Sequence, residues 1–141
     1  MFTGEYRHKV EGRNRVTVPA DWRVEEGIDL FMISKSLKNC VMVLPQREVT
    51  RLMEDAAKLE PIPRANFRDM LGSGLRKVKM DQAGRVSIPD DFLDLLRLPE
   101  NKEVWLTGSI DAFNIWSVPD FEEHKASERM GVEEAKRNLG I

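Results

Sequence analysis

The chain has 141 residues, enough for one compact domain or for two very small units that share a core. Hydrophobic residues make up 41% and charged residues 33%, which excludes a disordered chain, and no apolar run approaches the roughly 18 residues of a membrane span. The net charge of -2 (pI about 5.8) excludes a chain coated in base, although charge is segregated: residues 76–85 sum to +3 and residues 120–134 to -4.

In chain order, the opening Met1–His8 has no apolar run behind its charges and is not expected to be a signal peptide. Arg15-Val16-Thr17-Val18 alternates polar with apolar, as a half-buried strand does. Asn14, just before it, is a tolerant type for a left-handed turn position. Pro19 to Arg23 starts a short helix, ended by Gly27. Cys40, a lone cysteine ahead of a strand-like apolar run, is expected to be a small core residue. Pro45 to Glu60 predicts a helix with Val49, Leu52, Met53 and Ala56 on one face, stopped by Pro61. Pro63 to Leu71 predicts a second short helix, with Gly72-Ser73-Gly74 as a linker turn. Gly84 is a second left-handed candidate and leads into the strand Arg85-Val86-Ser87-Ile88. Pro89 to Leu93 starts another short helix, ended by Pro99. Pro119 opens an acidic helix running to about Met130, which Gly131 is expected to interrupt, leaving the tail from Val132 as a turn or frayed end.

The chain repeats itself. Glu11 to Pro19 matches Asp81 to Pro89: an acid, three residues, an arginine, then apolar, hydroxyl, apolar, proline, at an offset of 70 positions. Asp29–Ile33 resembles Glu103–Thr107, and Val41–Pro45 resembles Ile115–Pro119, both at an offset of 74. The second copy thus carries four extra residues after its first motif. Three matched blocks in one order are not expected by chance, and each copy reads as mostly strand.

The opening Met1-Phe2-x-Gly4, the acid-x-x-x-Arg hairpins at Glu11/Arg15 and Asp81/Arg85, and the blocks Trp105–Gly108 and Ile115-Trp116 together resemble the MraZ family, from Met1 to about Phe121. The resemblance implies an α+β fold. Two tandem AbrB-like swapped-hairpin units would form one small β-barrel within a chain, flanked by helices. The implied division is repeat 1 over 1–50, a helical linker over 51–74, repeat 2 over 75–121 and an acidic helix or tail over 122–141. It also implies a cytoplasmic, nucleoid-associated regulator of the division and cell-wall gene cluster that includes its own gene. Such a regulator would assemble into a ring and bind short G-rich direct repeats upstream of its own operon. This sequence has Glu11 where the family usually has Asp, Asn14 where it has Gly, and Arg13 where Lys is common.

The residue chemistry suits DNA. Phosphates attract Lys and Arg, and the arginine fork matches guanine O6 and N7 in a groove that admits a two-stranded ribbon. Arg13 and Arg15 are the first candidates for DNA contact, then Arg85. Arg7, His8, Lys9, Arg76, Lys77 and Lys79 are candidates for phosphate contact. Glu11, Asp81, Asn14 and Gly84 would shape the turns. Alternatively, each acid–arginine pair braces its own hairpin, which is the favoured role for Arg85, because Ala83 sits where Arg13 sits in the first copy. His8, His124 and Cys40 show no metal-ligand spacing, and no cofactor, small-molecule substrate, membrane partner or catalytic set is expected. Trp22, Trp105 and Trp116 are expected in core or interface. A competing class is a ring scaffold or partner-binding protein with weak or no DNA binding.

Overall fold

The computed structural model describes residues 1–23, 29–35 and 38–141. The expectation that Gly27 ends a helix lies outside the described residues. The first copy contributes β1 (Glu5–Lys9), β2 (Arg15–Thr17), β3 (Leu30–Ser34) and β4 (Cys40–Pro45). Helices α1 (Gln46–Ala56) and α2 (Pro61–Gly74) follow. The second copy contributes β5 (Arg76–Val78), β6 (Arg85–Ser87), α3 (Asp90–Leu96), β7 (Glu103–Gly108) and β8 (Phe113–Ser117), and α4 (Val118–Leu139) closes the chain.

Strand pairing joins the two copies rather than separating them. Six strands form one antiparallel sheet in the order β1-β7-β8-β4-β3-β5, and β2 with β6 forms a separate two-stranded ribbon. The first strand of each copy lies on the third strand of the other. Arg7 faces Trp105 and His8 faces Val104, while Lys77 faces Phe31 and Val78 faces Leu30. These pairs are equivalent under the 70- and 74-residue offsets. The remaining cross-copy pairings centre on Val16 opposite Val86 and on Val41 opposite Ile115, two pairs that the offsets map onto themselves. The repeat seen in sequence is therefore an internal two-fold axis in space. Among the described residues the sheet is open at β1 and β5 and the ribbon pairs apart from it, so the strands do not close into the small β-barrel that the resemblance implies. Pro19 and Pro89, which lack a backbone N–H, help end the short ribbon strands.

The main core lies on this axis. Val16, Val86, Val41, Ile115, Leu106 and Phe113 have no exposed surface, and each buried Val contributes about 2 kcal/mol by removal from water. Trp22 is buried as expected; its Nε1 donates to the Thr3 carbonyl (2.8 Å) and its ring meets Phe2, Tyr6 and Phe113. A second cluster sets Val49, Leu52 and Met53 of α1 against Leu44 and Leu71, which is the face the spacing predicts. A third holds Cys40 and Trp116 against Phe121 of α4, with Trp105 half-buried at its margin. Burial pushes the Cys40 thiol up to about 11.

Helices α1, α2 and α4 differ in their bounds from the sequence pattern. Helix α1 ends at Ala56, not Glu60, because Glu60 precedes Pro61 and is held extended (ψ 155), so Ala57–Glu60 serves to reverse the chain. Pro61 and Pro63 both sit in the first turn of α2, where a missing N–H costs nothing. Gly72-Ser73-Gly74 is the last turn of α2 rather than a linker: Ser73 Oγ donates to Asp69 O (2.9 Å), and buried Leu71 fixes the turn before it. Helix α4 runs through Gly131 without a break. A helical glycine costs only about 1 kcal/mol, and Glu133-Glu134-Ala135-Lys136 favour helix on its far side. Ser117 Oγ caps its first turn, and Gly140 (φ 75) ends it.

Candidate nucleic-acid interface

The two acid-x-x-x-Arg motifs meet on the ribbon. Arg15 lies opposite Ser87, and Thr17 opposite Arg85. Each strand also closes the other's turn: Val18 N donates to Gly84 O, and Ile88 N donates to Asn14 O, both at 2.8 Å. Neither hairpin is complete without the other copy.

The second hairpin is braced from within. Asp81 Oδ1 accepts from the backbone N–H of Ala83 and of Arg85, each at 2.9 Å, and Oδ2 accepts from Arg85 Nε at 2.9 Å. The Arg85 backbone N–H, followed by its side chain, holds the Asp81 carboxyl below the usual carboxylate range. Gly84 takes the left-handed conformation (φ 79) that a residue with a Cβ adopts only at a cost.

The first hairpin has the same ladder ends, with Glu11 N donating to Arg15 O at 2.8 Å, but a different brace. Arg15 Nε donates to the Gly12 carbonyl (3.2 Å), and its Nη1 lies 3.8 Å from Asp81 Oδ2. Asp81 therefore stands between the two motif arginines, one from each copy. Arg13 (φ 63) and Asn14 (φ 58) are both left-handed. Asn14 Nδ2 donates to Asp90 Oδ1 at 2.9 Å, so this turn too is held from the second copy. Arg13 is exposed, and Arg15 and Arg85 are half-buried.

The other basic candidates divide into two kinds. Arg7 pairs with Glu103, and Lys77 with Asp29 (3.1 Å), an equivalent pair of bridges under the two-fold. Arg7 also lies over the Trp105 ring, and Arg76 is held by Asp91 (2.9 Å) and lies over Phe92. Lys9 and Lys79, also equivalent, are exposed and make no ion pair among the described residues. His8 is half-buried in β1. Among the described residues, no group of three or more His, Cys, Asp or Glu side chains is placed to hold a metal ion, and no helix is long and apolar enough to cross a membrane.

One residue at the interface escaped the sequence reading. Arg23 donates from Nε to the Val18 carbonyl (3.3 Å) and folds over Gly84 so closely that a Cβ there would lie 2.2 Å from that nitrogen. Its signal was the repeat itself: the 70-residue offset aligns Arg23 with Leu93, an unlike pair in otherwise similar blocks.

Fold and site together define an α+β protein of two interlocked strand units that present one arginine-bearing ribbon. A family model described as "MraZ protein, putative antitoxin-like" matches residues 71–139. The chain is 31% identical to the transcriptional regulator MraZ of Desulforamulus reducens, across 99% of this chain and 97% of that one. It is 32% identical to that of Clostridium acetobutylicum across the whole of both chains, and 34% identical to that of Moorella thermoacetica across 88% and 86%. The chain belongs to the MraZ family of transcriptional regulators.

Proposed function

We propose that the protein is a sequence-specific DNA-binding regulator whose β2–β6 ribbon contacts the duplex, with Arg13 and Arg15 reading bases and Arg85, Lys9 and Lys79 supporting them. One observation carries the reading: the fold brings two arginine motifs 70 residues apart onto one ribbon and fixes Arg15 and Arg85 around a single carboxylate. An arginine oriented before binding loses less freedom on meeting a base or phosphate. The two halves of the chain act as tandem AbrB-like units, over 1–50 and 75–121, joined by the helical linker 51–74 and followed by the acidic tail 122–141. The target is short G-rich direct repeats upstream of the protein's own operon, the division and cell-wall cluster. Several copies in a ring would engage several repeats, so modest single contacts would combine into firm binding. Arg7 and Lys77 would act mainly through their bridges to Glu103 and Asp29, holding the sheet on which the ribbon sits.

The test is fluorescence anisotropy with the protein's own upstream duplex and a scrambled duplex across a salt series, with sedimentation velocity on the same sample. The reading expects preference for the native duplex, affinity that falls with salt, and an oligomer. Equal binding to both duplexes would move the protein to a scaffold or partner-binding role.

A further inference from the structure

The two hairpins differ in charge at their tips. Hairpin one carries Arg13; at the equivalent position hairpin two carries Ala83, which has no charge to offer. The structure places another cation there. Arg23 belongs to the first copy, yet its guanidinium lies over Gly84 of the second. The side chain is exposed, and its Nε is tethered to the Val18 carbonyl at 3.3 Å. That tether fixes the head with Nε, Cζ and Nη2 against Gly84, and among the described residues no acceptor takes the Nη groups, the fork that matches a phosphate.

The two-fold shows why the substitution works. Around hairpin one, Leu93 stands at the position equivalent to Arg23 and packs against the main core. Asn14 stands at the position equivalent to Gly84, and its side chain turns to Asp90. Around hairpin two the sizes are exchanged: a glycine makes room and an arginine fills it. The inventory is then equal, with Arg13 and Arg15 on one tip and Arg23 and Arg85 on the other.

We propose, on the strength of the DNA-binding reading above, that Arg23 is a phosphate-contacting residue of hairpin two, supplying in space the cation that Ala83 lacks in sequence. The phosphate is the preferred target because a head tethered at Nε sits at a fixed place beside the turn. Its contribution is read as salt dependence rather than as base preference.

The experiment titrates the upstream duplex and its scrambled control with wild type, Arg23→Gln and Arg23→Gln/Ala83→Arg. Salt runs from about 50 to 200 mM, and the melting temperature of each protein is recorded. Glutamine keeps a donor for the Val18 carbonyl and removes the charge. The expected result is affinity about tenfold weaker for Arg23→Gln and a salt slope shallower by about one unit, at a melting temperature close to wild type. Ala83→Arg should restore both. An unchanged slope, or a loss that Ala83→Arg does not restore and that follows a lower melting temperature, would make Arg23 a prop for the turn and nothing more. Should the variant not fold, wild type answers alone. Bound upstream DNA should protect Arg23 from a dicarbonyl arginine reagent, read by mass spectrometry, and equal labelling with and without DNA overturns the proposal. Wild type that binds native and scrambled duplex alike brings down the regulator reading itself, a different failure from a wild type that discriminates while Arg23→Gln matches it.

Discussion

Hairpin one and hairpin two share a backbone plan and differ in what holds it. In hairpin two a short carboxylate, Asp81, takes two backbone N–H groups and its own arginine. In hairpin one Glu11 is a methylene longer, and the motif arginine leans on the Gly12 carbonyl and on Asp81 of the other copy. The Asp81 brace of hairpin two lies within its own copy, and its tip residue Ala83 is neutral, with Arg23 of the other copy over the turn. Hairpin one borrows its bracing and presents Arg13. On the proposed function, the two copies divide the labour: hairpin two stiffens the ribbon and adds a phosphate contact, and hairpin one reads the bases.

The largest expected effect separates reading from bracing. If Arg15 reads a base as proposed, Arg15→Ala should lower affinity for the upstream duplex by about 100-fold, with little change in melting temperature. Arg85→Ala should cost less affinity but lower the melting temperature, because it removes the partner of Asp81 inside the turn. Equal behaviour of the two variants in anisotropy and melting would break the comparison.

Next comes the exchange of sizes across the axis. Gly84→Asn should destabilise by about 2 kcal/mol in urea denaturation, because the new side chain meets Arg23. Arg23→Leu in the same chain, which copies the Asn14/Leu93 arrangement, should recover most of that loss. Asn14→Gly should cost under about 1 kcal/mol, the bond to Asp90 lost being partly offset by relief of left-handed strain. Failure of the double variant to recover would show that size exchange is not what distinguishes the turns.

The smallest effect is a pH dependence. The folded-state pKa of Asp81 is depressed, so its contribution is present above the unfolded value of about 3.9 and is lost as pH falls through the folded value. The difference in melting temperature between wild type and Asp81→Asn should therefore be present at neutral pH and shrink below about pH 4. The corresponding difference for Glu11→Gln should be slight throughout. A Glu11 effect as large as that of Asp81 would contradict the self-bracing of hairpin two alone.

Much of this was legible in the sequence because repetition is a global signal. The 70- and 74-residue offsets located the paired motifs, and the left-handed positions at Asn14 and Gly84 followed from their residue types. The helical face Val49, Leu52, Met53 and Ala56 followed from spacing. What stayed hidden depends on three-dimensional context. Gly131 and the run Gly72–Gly74 look like helix breaks locally, but they are carried by neighbouring helical turns. Arg7 and Lys77 read in sequence only as candidate phosphate contacts, because the pairing that brings Glu103 and Asp29 beside them joins distant parts of the chain. Arg23 and Asp90 read as parts of short helices and acquire their role only when one copy folds against the other's turn.

The central claim is that the ribbon reads DNA and that hairpin one does the reading. The most direct measurement is the ratio of affinities for native and scrambled upstream duplex, for wild type and for Arg13→Ala/Arg15→Ala, at one near-physiological salt concentration. The account predicts a high ratio for wild type and a ratio near one for the variant, with the fold of the variant intact. A variant that discriminates as well as wild type would contradict it.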